Sequence, residues 1–231
     1  MKTLGIIGGT GPESTIDYYR SLIATYRQRV PDGSYPRIII NSVDNQKLLA
    51  LVGAKELATL FEYFLAELWR LKNAGADFGL LAANTSHIIF DELERESPIP
   101  LLSIVEATCA AARATGLRRL ALFGTRFTMQ GKFYPRVFEK AGLALVRPES
   151  ADQDYIHDKY MSELIPGVFL AETRAGLLAI VDRMKRASAI DSVILGGTEL
   201  ALILRDPAHD GIPFLNTSKI HVEAAVERML D

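Results

Sequence analysis

Two short polar segments, each directly after an apolar run, carry side chains that could bind or protonate a small acid. They are Ala83-Asn84-Thr85-Ser86-His87 and Gly197-Thr198-Glu199-Leu200. The amide of Asn84 and the hydroxyls of Thr85 and Thr198 can donate hydrogen bonds to a carboxylate. Helix capping explains one such residue, but not three consecutive polar side chains followed by a histidine. We therefore expect both segments to contribute to one small-molecule site.

Four residues in these segments are candidate proton carriers, and Thr198 is one of them through its hydroxyl. His87 is either a hydrogen-bonded structural histidine or a general acid–base group, because the pKa of an imidazole lies near neutrality. The Ser86 hydroxyl is a second candidate. Glu199 is flanked by apolar residues, where an unpaired carboxylate would be costly. We expect its carboxylate to bind a ligand ammonium group, a backbone N–H or a basic side chain.

A glycine-rich segment, Gly8-Gly9-Thr10-Gly11-Pro12-Glu13-Ser14-Thr15, follows the first apolar run. Glycines allow the backbone to approach a ligand closely, and free N–H groups at a helix start favour an anion. The segment is neither a dinucleotide fingerprint nor a Walker loop, so a tight turn from strand to helix is the alternative. Gly124-Thr125-Arg126-Phe127-Thr128-Met129 mirrors it in the second half. Thr10 and Thr125 are therefore further candidates for holding a carboxylate.

Two more segments give weaker signals. Lys159 lies in the polar segment Ile156–Tyr160, where a solvated helix face is the alternative to substrate binding. Asn216 precedes the final helix and has the residue type of an N-cap. The spacing of the four histidines matches no metal-ligand pattern and there is no thiol cluster, so we expect no metal site.

Short apolar runs alternate with stretches of helical period, and this alternation predicts the elements that position these side chains. The predicted strands cover Thr3–Ile7, Arg37–Asn41, Asp77–Ala83 and Leu101–Ile104. The predicted helices cover about Ile16–Val30 with Ser14 as N-cap, Glu56–Ala74, and about Thr85–Glu96. Strands that alternate with helices of this length predict an α/β fold with a mainly parallel sheet. In such sheets ligands bind outside the carboxyl ends of the strands, where both polar segments lie.

The second half of the chain repeats the first. Leu4–Gly8 matches Leu120–Gly124 at an offset of 116 residues, and Asp77–Leu81 matches Asp191–Leu195 at an offset of 114. Two matches at nearly one offset indicate a duplication, although shared strand composition could also produce them. We predict two pseudo-symmetric parallel-sheet α/β lobes, residues 1–102 with 216–231 and residues 103–215, with the site between them.

The composition excludes several classes of protein. The 231 residues carry a net charge of −2 and are 48% hydrophobic. They can form a packed core, but they lack the basic footprint that nucleic-acid or membrane-surface binding needs. No apolar run approaches the roughly 20 residues that span a bilayer. The N-terminal apolar run is too short for a signal peptide, and Cys109 is the only cysteine, so we expect a cytoplasmic protein without disulfides.

Seven motifs run in order over almost the whole chain, and together they resemble the aspartate/glutamate racemase family of cofactor-independent amino-acid racemases. They are Gly8–Thr15, Asn41–Asp44, Ala83–His87, Gly124–Met129, Ile156–Gly167, Gly196–Leu200 and Asn216–Ala225. The resemblance implies a pseudo-symmetric two-domain fold with the site between the domains, a homodimer, and no pyridoxal phosphate or metal. It also implies that a small amino acid or dicarboxylate is bound by residues in these motifs, namely Thr10, Asn84, Thr85, Thr125, Lys159, Thr198 and Glu199.

The chemistry of that family needs two thiols, one on each side of the substrate Cα. One removes the Cα proton as a thiolate, and the other delivers a proton from the opposite face. The resemblance puts these thiols directly before the Asn-Thr and Thr-Glu pairs, which in this chain are the positions of Ala83 and Gly197. Neither residue can carry a proton. Cys109 lies in an apolar segment far from both in sequence, and we interpret it as a buried structural residue.

Three hypotheses on function follow. The first is that the chain is an enzyme that acts on a small carboxylate through non-thiol groups, with His87, Ser86, Thr198 and Glu199 as candidates. A lone His87 would suit an elimination, isomerisation or tautomerisation. Alternatively, the chain is a catalytically silent relative that binds a small acid. The third hypothesis is a racemase whose bases lie elsewhere in the chain.

Overall fold

The computed structural model describes all residues from Met1 to Asp231, and its contacts divide the chain into two compact units. Unit 1 consists of Met1–Ile104 and Ser218–Asp231, and unit 2 consists of Val105–Thr217. The chain passes from one unit to the other after residues 104 and 217, two residues later than the predicted boundaries after residues 102 and 215. The chain therefore enters unit 2 once and returns to unit 1 for its last residues.

The first part of unit 1 alternates strands and helices. In chain order these are β1 (Leu4–Gly8), α1 (Pro12–Arg29), β2 (Ile38–Ser42), α2 (Asn45–Gly53), α3 (Leu57–Asn73), β3 (Phe78–Leu81), a 3-10 helix (Thr85–Ile89), α4 (Phe90–Glu96) and β4 (Leu101–Leu102). The strands form a sheet in the order β2-β1-β3-β4, and every neighbouring pair is parallel. β1 and β3 are buried along their whole length, which is typical of strands covered by helices on both faces.

Unit 2 repeats this alternation. In chain order its elements are α5 (Ile104–Ala114), β5 (Arg119–Gly124), α6 (Arg126–Gln130), α7 (Phe133–Lys140), β6 (Ala144–Val146), α8 (Ser150–Lys159), a π-helical turn (Tyr160–Leu164), α9 (Ala171–Ser188), β7 (Ser192–Gly196), α10 (Leu200–Ile203), β8 (Ala208–His209) and β9 (Ile212–Asn216). The sheet order is β6-β5-β7-β9-β8, and only the short β8 is antiparallel to its neighbour. The final helix, α11 (Thr217–Leu230), belongs to unit 1 from Ser218 onward.

The two sheets share one topology. If only the parallel strands are numbered within each unit, both sheets have the order 2-1-3-4, and unit 2 adds the antiparallel β8 at one edge. This agreement supports the duplication that the two sequence matches indicate. The predicted α/β class with two parallel-sheet lobes is confirmed. No helix of the chain is both long enough and apolar enough to cross a bilayer.

Each unit has its own apolar core. In unit 1, Leu4 and Ile6 of β1 and Tyr18 and Leu22 of α1 lie in one buried cluster with side chains of α11 such as Val226. In unit 2, the corresponding cluster joins side chains of β5, β7, α8, α9 and α10. The cores hold the central strands of each sheet in place, and the polar segments follow the carboxyl ends of those strands.

Two helix starts differ from the prediction. The first helix begins at Pro12, with Gly11 as its N-cap, so Ser14 lies inside α1 and is buried there. Proline has its φ angle preset for the first helical position, which is why the helix begins ahead of the predicted serine. The predicted helix over 85–96 is a 3-10 helix followed by α4, because the residues after Asn84 form i→i+3 bonds, such as the 3.0 Å bond from the His87 N–H to the Asn84 carbonyl.

Candidate functional site

In unit 1, the segments after β1 and β3 lie side by side because these two strands are neighbours in the sheet. The Thr10 hydroxyl donates a hydrogen bond of 3.4 Å to the carbonyl of Ala82, the residue directly after β3. Thr10 is half-buried, whereas Asn84 and Thr85 are buried, with 2% and 8% of their surface exposed. The structure therefore brings these three predicted ligand-binding residues to the same edge of one sheet.

Gly9 shows why the first segment is rich in glycine. Its φ angle is +79°, which side chains other than glycine rarely adopt. A Cβ atom at this position would lie 2.5 Å from the Ser42 hydroxyl oxygen and 2.7 Å from the Val43 nitrogen. The segment after β1 is thus packed directly against the end of β2 and the residues that follow it. A tight turn accounts for Gly9 without a ligand.

The carbonyl of Ala83 is the centre of the second polar segment. It accepts hydrogen bonds from the Ser86 hydroxyl at 3.0 Å and from His87 Nδ1 at 2.9 Å. His87 Nε2 in turn accepts a bond of 3.2 Å from the Ile104 N–H, and the ring stacks on Phe90 at a centroid distance of 4.6 Å. Both ring nitrogens are therefore used within unit 1.

These contacts support the structural interpretation of His87. Burial, then the neighbouring His221, lowers the pKa of the His87 imidazole from 6.5 to about 3, against the opposing effect of the bond to Ala83. The ring is therefore neutral at physiological pH, and both of its nitrogens are bonded within unit 1. The roles of His87 and Ser86 as proton carriers stay predictions. Both residues also hold the backbone at Ala83 through its carbonyl.

Asn84 occupies the N-cap position of the 3-10 helix, but its side chain makes no capping hydrogen bond. Capping therefore does not explain this residue. Asn84 and Thr85 both take part in further interactions. A buried amide and hydroxyl at a strand end are compatible with binding a carboxylate.

In unit 2, β5 and β7 are neighbours and their last residues, Gly124 and Gly196, pair in the sheet. Thr125 follows β5 and is the N-cap of α6, where its hydroxyl oxygen accepts a 3.3 Å bond from the Thr128 N–H. Capping accounts for Thr125 locally. Its position at the carboxyl end of β5 still corresponds to that of the segment after β1 in unit 1.

Glu199 follows β7 and is held by two hydroxyl groups. Its Oε2 accepts hydrogen bonds from the Tyr160 hydroxyl and, at 2.9 Å, from the Thr198 hydroxyl. All three residues are at least 95% buried, with exposed fractions of 5% for Tyr160, 5% for Thr198 and 2% for Glu199. The two partners of Oε2 are O–H groups, and the expected ligand ammonium group, backbone N–H or basic partner of this carboxylate stays a prediction. An oxygen that accepts two such bonds fits an ionised carboxylate.

Tyr160 was not predicted as a site residue, yet it fills the space beside Gly197. A Cβ atom at position 197 would lie 2.8 Å from the Tyr160 hydroxyl oxygen and 2.9 Å from the ring carbon Cζ. Burial and the charge of Glu199 raise the pKa of the Tyr160 phenol well above its usual value, so the phenol stays protonated and donates to Glu199. No side chain can occupy position 197 while the Tyr160 ring is there.

Lys159 lies next to Tyr160 at the end of α8, but its ammonium group is paired within unit 2. It forms an ion pair with Glu163, which also accepts a hydrogen bond from the Thr173 hydroxyl. The hydrogen bond to Glu163 raises the pKa of Lys159, and the bond from Lys159 lowers the pKa of Glu163. The half-buried Lys159 is therefore cationic and paired with Glu163, and its role in substrate binding stays a prediction.

The structure groups the predicted residues by unit. Thr10, Asn84 and Thr85 gather in unit 1 and Thr198 and Glu199 in unit 2, while whether both groups contact the same ligand stays a prediction. The four histidines have separate partners, and no group of three His, Cys, Asp or Glu side chains could hold a metal ion. Sequence reasoning missed Tyr160 because one aromatic at the end of a polar helix carries no spacing signal. Gly197, directly before Thr198, was the only feature of the sequence that indicated a bulky side chain nearby.

Comparisons with known proteins agree with the motifs. Residues 7–225 match the family described as Asp/Glu/Hydantoin racemase. The chain is 24% identical over 247 aligned residues to the broad specificity amino-acid racemase RacX of Bacillus subtilis (strain 168), and the match covers 98% of each protein.

Solved structures show the same fold. A candidate Asp/Glu racemase from Yersinia pestis superposes with a TM-score of 0.88 at 29% identity, and both chains are covered completely. An aspartate racemase homologue from Pyrococcus horikoshii OT3 gives a TM-score of 0.83 at 29% identity, again over 100% of both chains.

Proposed function

This chain belongs to the Asp/Glu/hydantoin racemase family, and on that premise we propose that it acts on a small amino acid or dicarboxylate with Glu199 as its proton carrier. Its relatives include amino-acid racemases, which are isomerases. An isomerase-type reaction at the Cα of a small acid is therefore the activity that we propose. The substrate would be held by the polar side chains that follow the central strands.

One observation carries this proposal. In each sheet the two neighbouring central strands, β1 with β3 and β5 with β7, end in polar segments that contain buried hydroxyl, amide or carboxylate groups. Polar groups buried at the carboxyl ends of parallel strands are typical of ligand sites in α/β proteins. Asn84 and Thr85 supply hydrogen-bond donors for a carboxylate, and Lys159 supplies a positive charge. Thr198 holds the Glu199 carboxylate through its hydroxyl.

The proposed chemistry does not use two thiols. The resemblance assigns the thiol positions to Ala83 and Gly197, and the single cysteine, Cys109, lies in α5 with its thiol against the Val137 carbonyl at 4.0 Å. Of the four predicted proton carriers, His87 and Ser86 are bonded to the Ala83 carbonyl, and the Thr198 hydroxyl donates to Glu199. Glu199 is the group that is left, and we propose that its carboxylate accepts the Cα proton and returns it.

A catalytically silent, ligand-binding relative is the second candidate. It is favoured by the same two positions, because neither Ala83 nor Gly197 can exchange a proton. In that case the polar segments would bind a small acid without turnover.

An exchange experiment distinguishes the two candidates. The protein is incubated with L-aspartate or L-glutamate in D2O, and the Cα proton signal is followed by NMR. We expect exchange above the blank, lowered about 10²–10⁴-fold in Glu199→Gln because a general acid–base group is removed. Glu223→Gln, a change at an exposed carboxylate on α11, is the matched control and should exchange like the unmodified protein.

The other outcomes are equally specific. No exchange, but stabilisation by a small carboxylate in a thermal-shift assay, would support the silent relative; a ligand at 100 times its Kd adds about 2.7 kcal/mol. Neither exchange nor stabilisation would overturn both candidates. We further propose that the protein needs no cofactor and is a homodimer, which dialysis against a chelator and light scattering on the same sample test.

A further inference from the structure

Ser218 carries a buried hydroxyl group without a hydrogen-bond partner. The residue is 4% exposed, and its Oγ is one of two buried side-chain oxygen atoms in the chain that have no partner. The other belongs to Asp191, whose second carboxylate oxygen accepts bonds from the Arg118 and Arg119 N–H groups at 2.7 and 3.0 Å. Nearly all buried polar groups in proteins have a hydrogen-bond partner, so the unpartnered hydroxyl of Ser218 is an exception that calls for an explanation.

The position of Ser218 indicates which partner it would take. Ser218 is the second residue of α11, a helix of 14 residues. N–H groups in the first turn of a helix have no partner within the helix, and the helix dipole places partial positive charge there. Because Cα–Cβ bonds tilt toward the N-terminus of a helix, the Ser218 hydroxyl is directed toward the same end.

The start of α11 is fixed rigidly. The Thr217 hydroxyl donates a 2.8 Å hydrogen bond to the carbonyl of Leu195 in β7, and Asn216 at the end of β9 pairs with the same residue in the sheet. The first turn contains no acidic residue that could take the place of an external anion. A fixed helix start with an unused hydroxyl favours a negatively charged acceptor over a cation or a neutral donor.

We infer that Ser218 is a carboxylate-binding residue, whose hydroxyl and backbone N–H donate hydrogen bonds to one carboxylate group at the start of α11. This inference rests on the proposed function and deepens it, because it names the residue that anchors an acidic group of the small-acid ligand. A carboxylate only accepts hydrogen bonds, and it would satisfy the Ser218 hydroxyl and the positive end of the helix together.

The test compares two serine variants, with succinate and L-aspartate as probes and calorimetry to measure their Kd. Ser218→Ala should raise the Kd of both probes about tenfold, since a hydrogen bond to a charged group is lost. The melting temperature of the ligand-free variant should be equal or higher, because the change removes an unpaired buried hydroxyl. Succinamide, which is uncharged, should bind both proteins equally weakly.

Ser192→Ala is the matched control and should behave in the opposite way. Ser192 is also fully buried, but it lies at the start of β7 and its hydroxyl donates a 2.9 Å bond to the Pro213 carbonyl. We expect a lower melting temperature and an unchanged Kd for this variant. If Ser218→Ala binds succinate and aspartate as tightly as the unmodified protein, the partner of Ser218 is water and the inference alone is overturned. If the unmodified protein binds neither probe, the inference and the proposed function both fail.

Discussion

Gly197 and Tyr160 restrict each other, because the phenol ring lies where a side chain at position 197 would have to be. The Tyr160 hydroxyl is in turn bonded to Glu199, so a shift of the ring would also disturb the buried carboxylate. Introducing a thiol at position 197 is therefore not a local change. It requires the ring, the carboxylate and the segment after β7 to move together.

We predict that Gly197→Ala lowers the free energy of unfolding by about 1–3 kcal/mol, the usual cost of inserting a methyl group into a filled space. Gly197→Cys should cost more, because the sulfur adds volume on the same side. In combination with Tyr160→Leu, Gly197→Cys should cost less than the sum of the two single changes, since they share one space. Urea denaturation of the three variants measures this coupling.

Gly53→Ala serves as the control for these glycine variants. A Cβ atom at Gly53 would meet no atom within 4 Å, and the residue is the last of α2. Its replacement by alanine should leave the stability unchanged or raise it by less than about 1 kcal/mol. Strictly additive effects at positions 160 and 197 would contradict the shared-space explanation.

Some features of single residues could be predicted from the sequence and others could not. That Glu199 needs a buried partner follows from its apolar flanks, but that the partner is Tyr160, 39 positions earlier, depends on how the π-helical turn Tyr160–Leu164 packs against α10. Similarly, the sequence leaves two roles for His87. The bonds to the Ala83 carbonyl and the Ile104 N–H, which only the structure shows, favour the structural role.

Asp44, a residue of one of the family-like motifs, stabilises the start of the helix that follows it, α2. Asp44 ends the motif Asn41–Asp44 and is the N-cap of α2, where its Oδ1 accepts a 2.9 Å hydrogen bond from the Gln46 N–H. N-caps satisfy a backbone N–H that has no partner within the helix. The presence of Asp44 in a family-like motif therefore has a local explanation.

We predict that Asp44→Ala lowers the free energy of unfolding by about 1 kcal/mol, the typical cost of losing an N-cap. Asp44→Asn should retain most of the stability, because asparagine caps about as well as aspartate. Urea denaturation checks both variants. The capping role would be wrong if Asp44→Ala kept full stability and instead weakened the binding of a small acid.

Periodicity predicted the elements better than it predicted their ends. The apolar runs locate β1, β2, β3 and β4 to within about two residues, because strands covered on both faces are continuous apolar segments. The start of α1 at Pro12 and the 3-10 helix after Asn84 were missed, since both depend on local backbone geometry. The π-helical turn at Tyr160–Leu164, which ends α8, has no signal in hydrophobic periodicity.

At the scale of the whole molecule, two buried histidines in unit 1 link its stability to pH. Burial lowers the pKa of His87 to about 3 and that of His221 to about 4. His221 accepts a 3.0 Å bond from the Tyr18 hydroxyl and donates one of 3.0 Å to the Leu102 carbonyl, so it too is neutral when folded. In the unfolded chain both rings titrate near 6.5.

The sign of the effect follows from these values. Between about pH 6.5 and pH 4 the unfolded chain binds more protons than the folded one, so the stabilisation is complete above pH 6.5 and falls as the pH is lowered. We predict that the melting temperature declines over this range, and that it declines less steeply in His87→Gln. NMR of the imidazole groups gives a second measurement, in which both rings should remain neutral at pH 5. A ring that titrates near 6.5 in the folded protein would contradict this.

The fold class and the repeat were predictable because each unit has the same alternation of strands and helices and the same strand order. The chemistry was less predictable. The sequence shows that residues 83 and 197 are not cysteines, but not that a ring fills the space at 197 or that a serine at the start of α11 lacks a partner. Those facts depend on contacts between segments far apart in the chain.

The two crossings between the units have a consequence for dividing the chain. α5 follows the fourth strand of the first repeat but belongs almost entirely to unit 2, and α11 follows the fourth parallel strand of the second repeat but packs into the core of unit 1. The last helix of the first repeat, α5, thus belongs almost entirely to unit 2, and the last helix of the second repeat, α11, belongs almost entirely to unit 1. If the chain is cut in the loop near Gly116, each fragment carries the helix that the other fragment needs. Neither half can then complete its own core, and only a mixture of the two can reconstitute the protein by complementation.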